Sequence, residues 1–274
     1  MTLDTRIETA TEAMTKKANS CYYQLQDNEV DIFNFAMVHN LPILIKGPTG
    51  CGKTRFVEYM AQELERELVT VSCHDDLTAA DLLGRHLVSS EGTFWQDGPL
   101  TRAVRNGGIC YLDEIIEARK DTTVVLHSLS DHRRELHLER TGEVIKAHKD
   151  FMLVVSYNPG YQNMMKGLKP STRQRFVAMS FDYPTPENEA DILVHEAGID
   201  LELAKTLVKL GADIRRLSDI DLKAAVSTRL LIYAAKMISS GCHAQMACLH
   251  CIIEPLTDET ETIKALSTLV NAHF

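Results

Sequence analysis

The sequence predicts an α/β domain built on a mostly parallel sheet with helices on both faces, followed by a small all-α domain. Short apolar strands alternate with helical segments between residues 41 and 183, the pattern of a helix-covered parallel sheet. A glycine-rich turn joins the first strand to an amphipathic helix. Two prolines, Pro184 and Pro186, then interrupt regular structure. We therefore expect an N-terminal extension over 1–30, the α/β domain over 31–183 and a helical domain over 187–274.

The predicted sheet has five strands, and each is a short apolar run bounded by polar or turn-forming residues. They are Ile43–Lys46, Leu68–Ser72, Gly108–Leu112, Phe151–Ser156 and Phe176–Phe181. In sheets of this kind, ligands bind at the carboxyl ends of the strands. The residues that follow these strands are therefore the first candidates for a functional site.

Two pairs of segments predict β-hairpins that project from the α/β framework as insertions. The pairs are Arg85–Val88 with Thr93–Gln96, and Arg134–Glu139 with Glu143–Ala147. Phe94 and Trp95 in the first hairpin are candidates for contacting a partner. Packing against their own domain is an equally good interpretation of these aromatic residues.

Beyond the prolines, apolar residues recur at helical spacing and predict two amphipathic helices. One stripe consists of Leu201, Ala204, Leu207, Val208 and Leu210, and the other of Leu230, Leu231, Ala234, Ala235 and Ile238. These stripes predict the core of the helical domain.

Residues 47–54 match the phosphate-loop pattern G-x-x-x-x-G-K-[ST] at every fixed position. The loop reads Gly47, Pro48, Thr49, Gly50, Cys51, Gly52, Lys53, Thr54, and Arg55 follows directly in the predicted nucleotide-binding set. Its backbone N–H groups and the start of the following helix suit a phosphate anion. We expect Lys53 to reach the β- and γ-phosphates of ATP and the Thr54 hydroxyl to ligate Mg²⁺.

A second motif is the apolar strand that ends in Asp113 and Glu114, about 60 residues after the phosphate loop. In phosphate-loop hydrolases a strand-end aspartate supports Mg²⁺, which is the role we predict for Asp113. The following Glu114 is the candidate to polarise the attacking water. A solvated acidic loop is the alternative interpretation.

Three further polar residues complete the candidate site. Asn158 ends another strand and is placed to hold the attacking water or touch the γ-phosphate. Arg175 precedes the last strand and is a candidate for reaching a γ-phosphate held by a neighbouring subunit, with Arg173 as the alternative. Arg229, near the start of a helix, is a candidate for contacting the nucleotide within its own subunit. For each arginine, a surface charge is the competing interpretation.

Composition limits the classes of partner. The net charge of −9 argues against a general nucleic-acid binder. No apolar run approaches the roughly 20 residues of a membrane span, and we expect a cytoplasmic protein without a signal peptide. Seven cysteines, an odd number, favour reduced thiols. A cluster over 242–251 contains one C-x-x-C without a second half, so buried thiols are favoured over a metal site.

Taken together, these motifs resemble AAA+ ATPases. Gly47–Thr54, Asp113 with Glu114, Asn158, Arg175 and Arg229 look like Walker A, Walker B, sensor 1, arginine finger and sensor 2. The two hairpins resemble the insertions of the MoxR branch. Four segments, 46–58, 95–101, 131–134 and 155–162, are similar to the CbbQ/NirQ/NorQ/GvpN subfamily, and most of all to its CbbQ members.

The resemblance implies a homo-hexameric ring with ATP and Mg²⁺ at subunit interfaces. For the CbbQ members it implies a CbbO-like adaptor with a von Willebrand factor A domain, and Rubisco as the client. In that case ATP-driven motion releases inhibitory sugar phosphates, in the cytoplasm or at the carboxysome. For NorQ and NirQ members it implies a chaperone for maturation of nitric oxide or nitrite reductase, and for GvpN members gas-vesicle assembly.

Two other function classes remain as alternatives. A DNA-dependent motor would use the same hairpins, but the negative charge and the absence of a lysine cluster at the hairpin tips count against it. A nucleotide-dependent scaffold that binds without turnover is disfavoured by the intact Asp113–Glu114 pair.

Overall fold

The computed structural model describes residues 21–90, 92–159, 168–218 and 225–274. Most of the predicted N-terminal extension, residues 1–20, lies outside the described residues. The same holds for Gly160–Gln162, the end of one of the four family-like segments.

The α/β region is built on a five-stranded parallel sheet, as predicted. Its strands are β1 (Ile43–Lys46), β2 (Leu68–Ser72), β5 (Gly108–Asp113), β8 (Phe151–Tyr157) and β9 (Val177–Ser180), in the order β2-β5-β8-β1-β9. The ends of β1 and β2 agree with the prediction, whereas β9 is shorter than predicted. β8 is the middle strand, and β1 lies between β8 and the edge strand β9. β1 pairs with β8 in register from Ile43 opposite Val154 to Lys46 opposite Tyr157.

Both predicted hairpins are present and lie outside this sheet. They are formed by β3 (Gly84–Ser89) with β4 (Gly92–Asp97), and by β6 (Glu135–Leu138) with β7 (Glu143–Lys146). Trp95 packs against the α/β core, and its Nε1 donates to Asp97 Oδ1 at 2.7 Å, whereas Phe94 is half exposed. Trp95 therefore packs within its own chain, whereas Phe94 remains exposed and available to a partner.

Helices cover both faces of the sheet and create two apolar layers. They are α1 (Glu29–Val38), α2 (Lys53–Glu63), α3 (Ala79–Leu83), α4 (Pro99–Asn106), α5 (Lys120–Val125) and α6 (Pro170–Arg173). Alternate strand residues point to opposite layers because side chains alternate along a strand. Tyr111 packs in one layer with Phe33 and Phe56, and its neighbour Leu112 packs in the other with Leu100.

The C-terminal part of the described chain is helical and has a core of its own. It contains α7 (Pro186–Ala197), α8 (Leu201–Ser218), α9 (Thr228–Ser239), α10 (Ala244–Cys248), a π-helical turn (Leu249–Ile253) and α11 (Thr260–His273). Both predicted stripes face this core, except that Leu201 at the start of α8 is 45% exposed. The division at 183–187 stays a prediction. No helix among the described residues is long and apolar enough to cross a bilayer.

An ion pair with a buried carboxylate ties three of these helices together. Glu189 of α7 is 1% exposed and accepts hydrogen bonds from Arg215 Nη1 and Nη2 of α8 at 2.8 and 2.6 Å. Thr228, the first residue of α9, donates to the same carboxylate at 2.6 Å. The start of α9 is therefore fixed by charge-assisted hydrogen bonds.

Candidate functional site

The phosphate loop lies between β1 and α2 and is too closely packed for side chains at two of its glycines. A Cβ on Gly47 would lie 2.6 Å from the carbonyl oxygen of Phe181. A Cβ on Gly50 would lie 2.5 Å from Ser227, and Gly50 also has a φ of +72°, which L side chains rarely adopt. Gly52, with a φ of +100°, is the N-cap of α2. The glycines therefore set both the path of the loop and its contact with the residue before α9.

Lys53 turns back into the concave side of this loop. Its Nζ donates to the carbonyl oxygens of Gly47 at 2.8 Å and Pro48 at 2.9 Å, and the residue is 6% exposed. A positive charge held at the start of α2, where backbone N–H groups point outward, suits a phosphate group. The loop thus fits the triphosphate that its sequence predicts.

The two predicted magnesium ligands lie together. Thr54 Oγ1 donates to Asp113 Oδ2 at 3.3 Å. A hydroxyl and a carboxylate oxygen are the hard donors that Mg²⁺ takes, with phosphate oxygens and water completing the coordination. The other oxygen, Asp113 Oδ1, accepts from Tyr111 Oη at 2.8 Å and from Ser156 Oγ at 2.5 Å. The residues present therefore fit Mg²⁺ beside the phosphate loop.

Glu114 follows Asp113 in an uncommon backbone conformation. Its φ is 54° and its ψ is 48°, and its N–H donates to Ser156 Oγ at 3.2 Å. Burial raises the pKa of its carboxyl, while Lys53 and a backbone hydrogen bond from Asn158 act in the opposite direction. A half-buried carboxylate at the mouth of the phosphate site is what the predicted role of Glu114 requires.

Asn158 links the end of β8 to the phosphate loop. It is 4% exposed, and its Nδ2 donates to Thr49 Oγ1 at 2.8 Å. The amide therefore lies beside the loop, on the same side of the sheet edge as Glu114, whose carboxylate accepts the Asn158 N–H. The structure brings together the predicted residues of three separate strand ends.

The phosphate loop opens into a cleft of about 540 Å³ between the α/β region and the C-terminal helices. Arg229 lines this cleft from α9 and is exposed. Arg55 also lines it, and its Nη2 forms an ion pair with Glu196 Oε1 of α7 at 3.1 Å. Cys51 is buried in the loop, and burial raises the pKa of its thiol, which disfavours a thiolate.

Arg175 and Arg173 lie outside this cleft, so within one chain neither joins the nucleotide site. Arg175 Nη1 donates to the carbonyl oxygen of His127 at 3.1 Å and to Asp131 Oδ2 at 3.3 Å. Arg133 Nη2 binds the same Asp131 carboxylate at 2.7 Å, and these arginines hold the Asp131 pKa well below its usual range. Arg173 is exposed at the end of α6.

Several residues of the site were not found from the sequence. Tyr22 and Tyr23, in the segment before α1, line the cleft, and Tyr22 stacks on His195 of α7 with ring centroids 3.6 Å apart. Tyr111 and Ser156, which hold Asp113, are predicted by the sequence pattern only as strand residues. Two aromatic residues in a row were the one available signal for the first pair.

The cysteine and histidine cluster over 242–251 contains no metal-binding arrangement among the described residues. Cys248 is buried, Cys251 Sγ contacts Met237 Sδ at 3.1 Å, and His250 pairs with Glu254 at 2.8 Å. All seven cysteines lie among the described residues, and none of them forms a disulfide there.

Comparison with known proteins gives the family. Residues 42–176 match the AAA domain (dynein-related subfamily), and residues 189–273 match the CbbQ/NirQ/NorQ C-terminal domain. The chain is 60% identical over 268 residues to the denitrification regulatory protein NirQ of Stutzerimonas stutzeri, covering 98% of this chain and 97% of that protein. It is 53% identical to protein CbbQ of Hydrogenophilus thermoluteolus, covering 92% and 95% respectively.

Solved structures support the same fold. A mutant of Thermotoga maritima RuvB superimposes with a TM-score of 0.56 at 16% identity, over 91% of this chain and 71% of that one. This likeness concerns the fold alone. The AAA domain makes the chain an ATPase that uses ATP and Mg²⁺, and proteins of this class generally assemble into rings. The chain belongs to the CbbQ/NirQ/NorQ family of AAA+ ATPases.

Proposed function

We propose that this ATPase is a chaperone-like motor that matures a denitrification reductase. The observation that carries the proposal is its 60% identity, over nearly the whole of both chains, to a denitrification regulatory protein. Identity to the CbbQ relative is lower, at 53%. On these identities we favour the NirQ/NorQ alternative, in which the client is nitric oxide or nitrite reductase, and keep the Rubisco client that the sequence predicts as the second candidate.

We propose the following roles within one subunit. The backbone N–H groups of the non-proline residues in 47–55 and the ammonium of Lys53 hold the phosphates of ATP, and Thr54 with Asp113 holds Mg²⁺. When bound, Mg²⁺ neutralises charge on the phosphate oxygens. Glu114, in its ionised form, orients water toward the terminal phosphate, and Asn158 holds that water or the phosphate. The short distances among these side chains support the assignment.

A neighbouring subunit supplies the last charge in this proposal. Arg175 lies away from the cleft of its own chain, so it is available to the cleft of the next subunit in a homo-hexameric ring. An arginine finger contributes on the order of 10³–10⁵ to the hydrolysis rate in related phosphoryl transfers. Its planar guanidinium suits two phosphate oxygens at once.

The contact between phosphate loop and helical region suggests how hydrolysis becomes motion. Gly50 touches Ser227, directly before α9, and Arg229 lines the cleft from the same helix. Loss of the terminal phosphate removes a group that Lys53, Arg229 and the neighbour's finger hold together. The states before and after loss of this phosphate therefore make different contacts, and this difference shifts the helical region relative to the sheet.

Rubisco reactivation is the second candidate, and the 53% identity to CbbQ favours it. In both cases we propose an adaptor with a von Willebrand factor A domain and no nucleic-acid substrate. A cytoplasmic location fits both, and association with the carboxysome would accompany only the Rubisco role.

Reconstitution with both clients tests the proposal. The purified chain and the von Willebrand factor A protein of its own genome are mixed with ATP and either immature nitric oxide reductase or sugar-phosphate-inhibited Rubisco. We expect ATP-dependent gain of reductase activity, absent with Glu114→Gln, and no effect on Rubisco. Reactivation of Rubisco without any effect on the reductase would overturn the denitrification role.

A further inference from the structure

Asp113 is held by two neutral hydroxyl groups, and they contact only one of its two carboxylate oxygens. Tyr111 Oη donates to Oδ1 at 2.8 Å, and Ser156 Oγ donates to the same atom at 2.5 Å. The other oxygen, Oδ2, faces Thr54 Oγ1 at 3.3 Å. The carboxylate is therefore turned with one oxygen toward the sheet and the other toward the start of α2.

Both hydroxyl donors are buried strand residues of the sheet. Tyr111 and Ser156 are each 0% exposed. Tyr111 lies two residues before Asp113 on β5, so both side chains leave the same face of that strand. Leu112 on β5 pairs with Val155 on β8, which places Ser156 beside Asp113 in the next register position. The geometry is set by strand pairing rather than by a loop.

A tyrosine at position 111 is not explained by packing alone. Its ring lies in an apolar layer with Phe33 and Phe56, where phenylalanine would fill similar space. A buried hydroxyl group needs a hydrogen-bond partner to offset its desolvation. The partners here are the predicted magnesium ligands themselves, since Tyr111 Oη also lies 3.4 Å from Thr54 Oγ1.

We infer that Tyr111 and Ser156 are positioning residues that present Asp113 Oδ2 to Mg²⁺. This inference rests on the proposed magnesium role of Asp113. The terminal torsion of an aspartate is soft, so two hydrogen bonds to one oxygen remove rotational freedom that metal binding would otherwise have to restrict. Partners that hydrogen-bond a metal-ligating carboxylate contribute about 10–100-fold to metal affinity in other sites.

Ser156 has a second contact that Tyr111 lacks. Its Oγ accepts the N–H of Glu114 at 3.2 Å, and Glu114 occupies the left-handed backbone region with a φ of 54°. Ser156 thus holds the turn that directs Glu114 as well as the carboxylate of Asp113. The contacts of Tyr111 Oη are with Asp113, Thr54 and Ser156 and do not include Glu114, so the two substitutions should have different kinetic signatures.

The test measures Mg²⁺ dependence of nucleotide binding with ADP, which excludes turnover. Full-length Tyr111→Phe is titrated with fluorescent ADP in EDTA and then with increasing Mg²⁺. We expect the affinity for ADP in EDTA to be unchanged. The Mg²⁺ concentration that gives half of the maximal effect on ADP binding should rise about 10-fold. At saturating Mg²⁺, kcat should recover to nearly the unmodified value. Ser156→Ala should show the same Mg²⁺ shift and a kcat that stays low.

Two controls separate the possible failures. Tyr59→Phe removes a tyrosine hydroxyl from α2, which packs on the same apolar layer, and should leave the Mg²⁺ dependence of ADP binding unchanged. Asp113→Asn should lose the Mg²⁺ effect altogether, and if it keeps that effect, the magnesium role of Asp113 itself is wrong. If Asp113→Asn loses the effect while the Mg²⁺ curve of Tyr111→Phe superimposes on that of the unmodified chain, the positioning role is overturned. If Tyr111→Phe lowers the metal-free affinity for ADP as much as it lowers the affinity in Mg²⁺, the positioning role is also overturned, in favour of a purely structural role.

Discussion

Replacing Glu189 by glutamine tests how firmly the helical region fixes the start of α9 beside the phosphate loop. Glu189 is 1% exposed and binds Arg215 and Thr228 through three hydrogen bonds. The substitution takes the carboxylate charge away from the Arg215 guanidinium, whose side chain is 16% exposed. Breaking a buried ion pair from one side costs about 3–5 kcal/mol. Because unfolding a domain costs only about 5–15 kcal/mol, the helical region should lose a large share of its stability.

Urea unfolding followed by far-UV circular dichroism measures this loss. With a slope of about 3 kcal/mol/M, the midpoint should fall by about 1–2 M. Glu202→Gln is the matched control, because the Glu202 side chain is 84% exposed and its pair with Lys205 contributes under about 1 kcal/mol. Fluorescence of the single tryptophan, Trp95, follows the α/β region separately. Equal midpoints for the two variants would refute the reasoning.

Three further predictions concern the site. Gly50→Ala should abolish ADP binding in calorimetry, because the added Cβ would lie 2.5 Å from Ser227, the residue before α9. Gly142→Ala is the control: Gly142 has a φ of +71° but open space around it, so this variant should bind ADP normally and lose only about 1–2 kcal/mol of stability. Burial raises the pKa of Glu114 and its ionised form is needed, so kcat should fall as pH drops through a value above that of an ordinary glutamate. An acid limb at the ordinary value would contradict this. Asp131→Asn should loosen Arg175 and lower kcat with unchanged ADP affinity; a loss of affinity would place Asp131 in nucleotide binding instead.

The strands and the phosphate loop were predictable because their signals are local. Apolar runs such as Ile43–Lys46 end at turn residues, and Gly52 with Lys53 marks the start of α2. Both hairpins followed from turn residues in the same way. The strand-end residues Asp113 and Asn158 could be placed near the loop because the carboxyl ends of parallel strands share one edge of the sheet.

The remaining contacts depend on residues far apart in the chain. Tyr111 and Ser156 look like ordinary members of apolar strands, and only the pairing of β5 with β8 brings both to Asp113. Glu189 and Arg215 are 26 residues apart, and a sequence pattern does not distinguish them from surface charges. Tyr22 belongs to a polar segment whose place in the cleft is set by its stack on His195.

Mixing two inactive variants tests most directly whether one active site is shared by two subunits. Lys53→Ala lacks the phosphate-binding ammonium, and Arg175→Ala lacks the proposed finger, so neither should hydrolyse ATP alone. In rings formed from equal amounts of both, about a quarter of the interfaces pair an intact loop with an intact finger. We predict that ATPase activity returns in the mixture to a corresponding fraction of the unmodified rate. A mixture that stays as inactive as its components, although it forms mixed rings, would contradict the shared site.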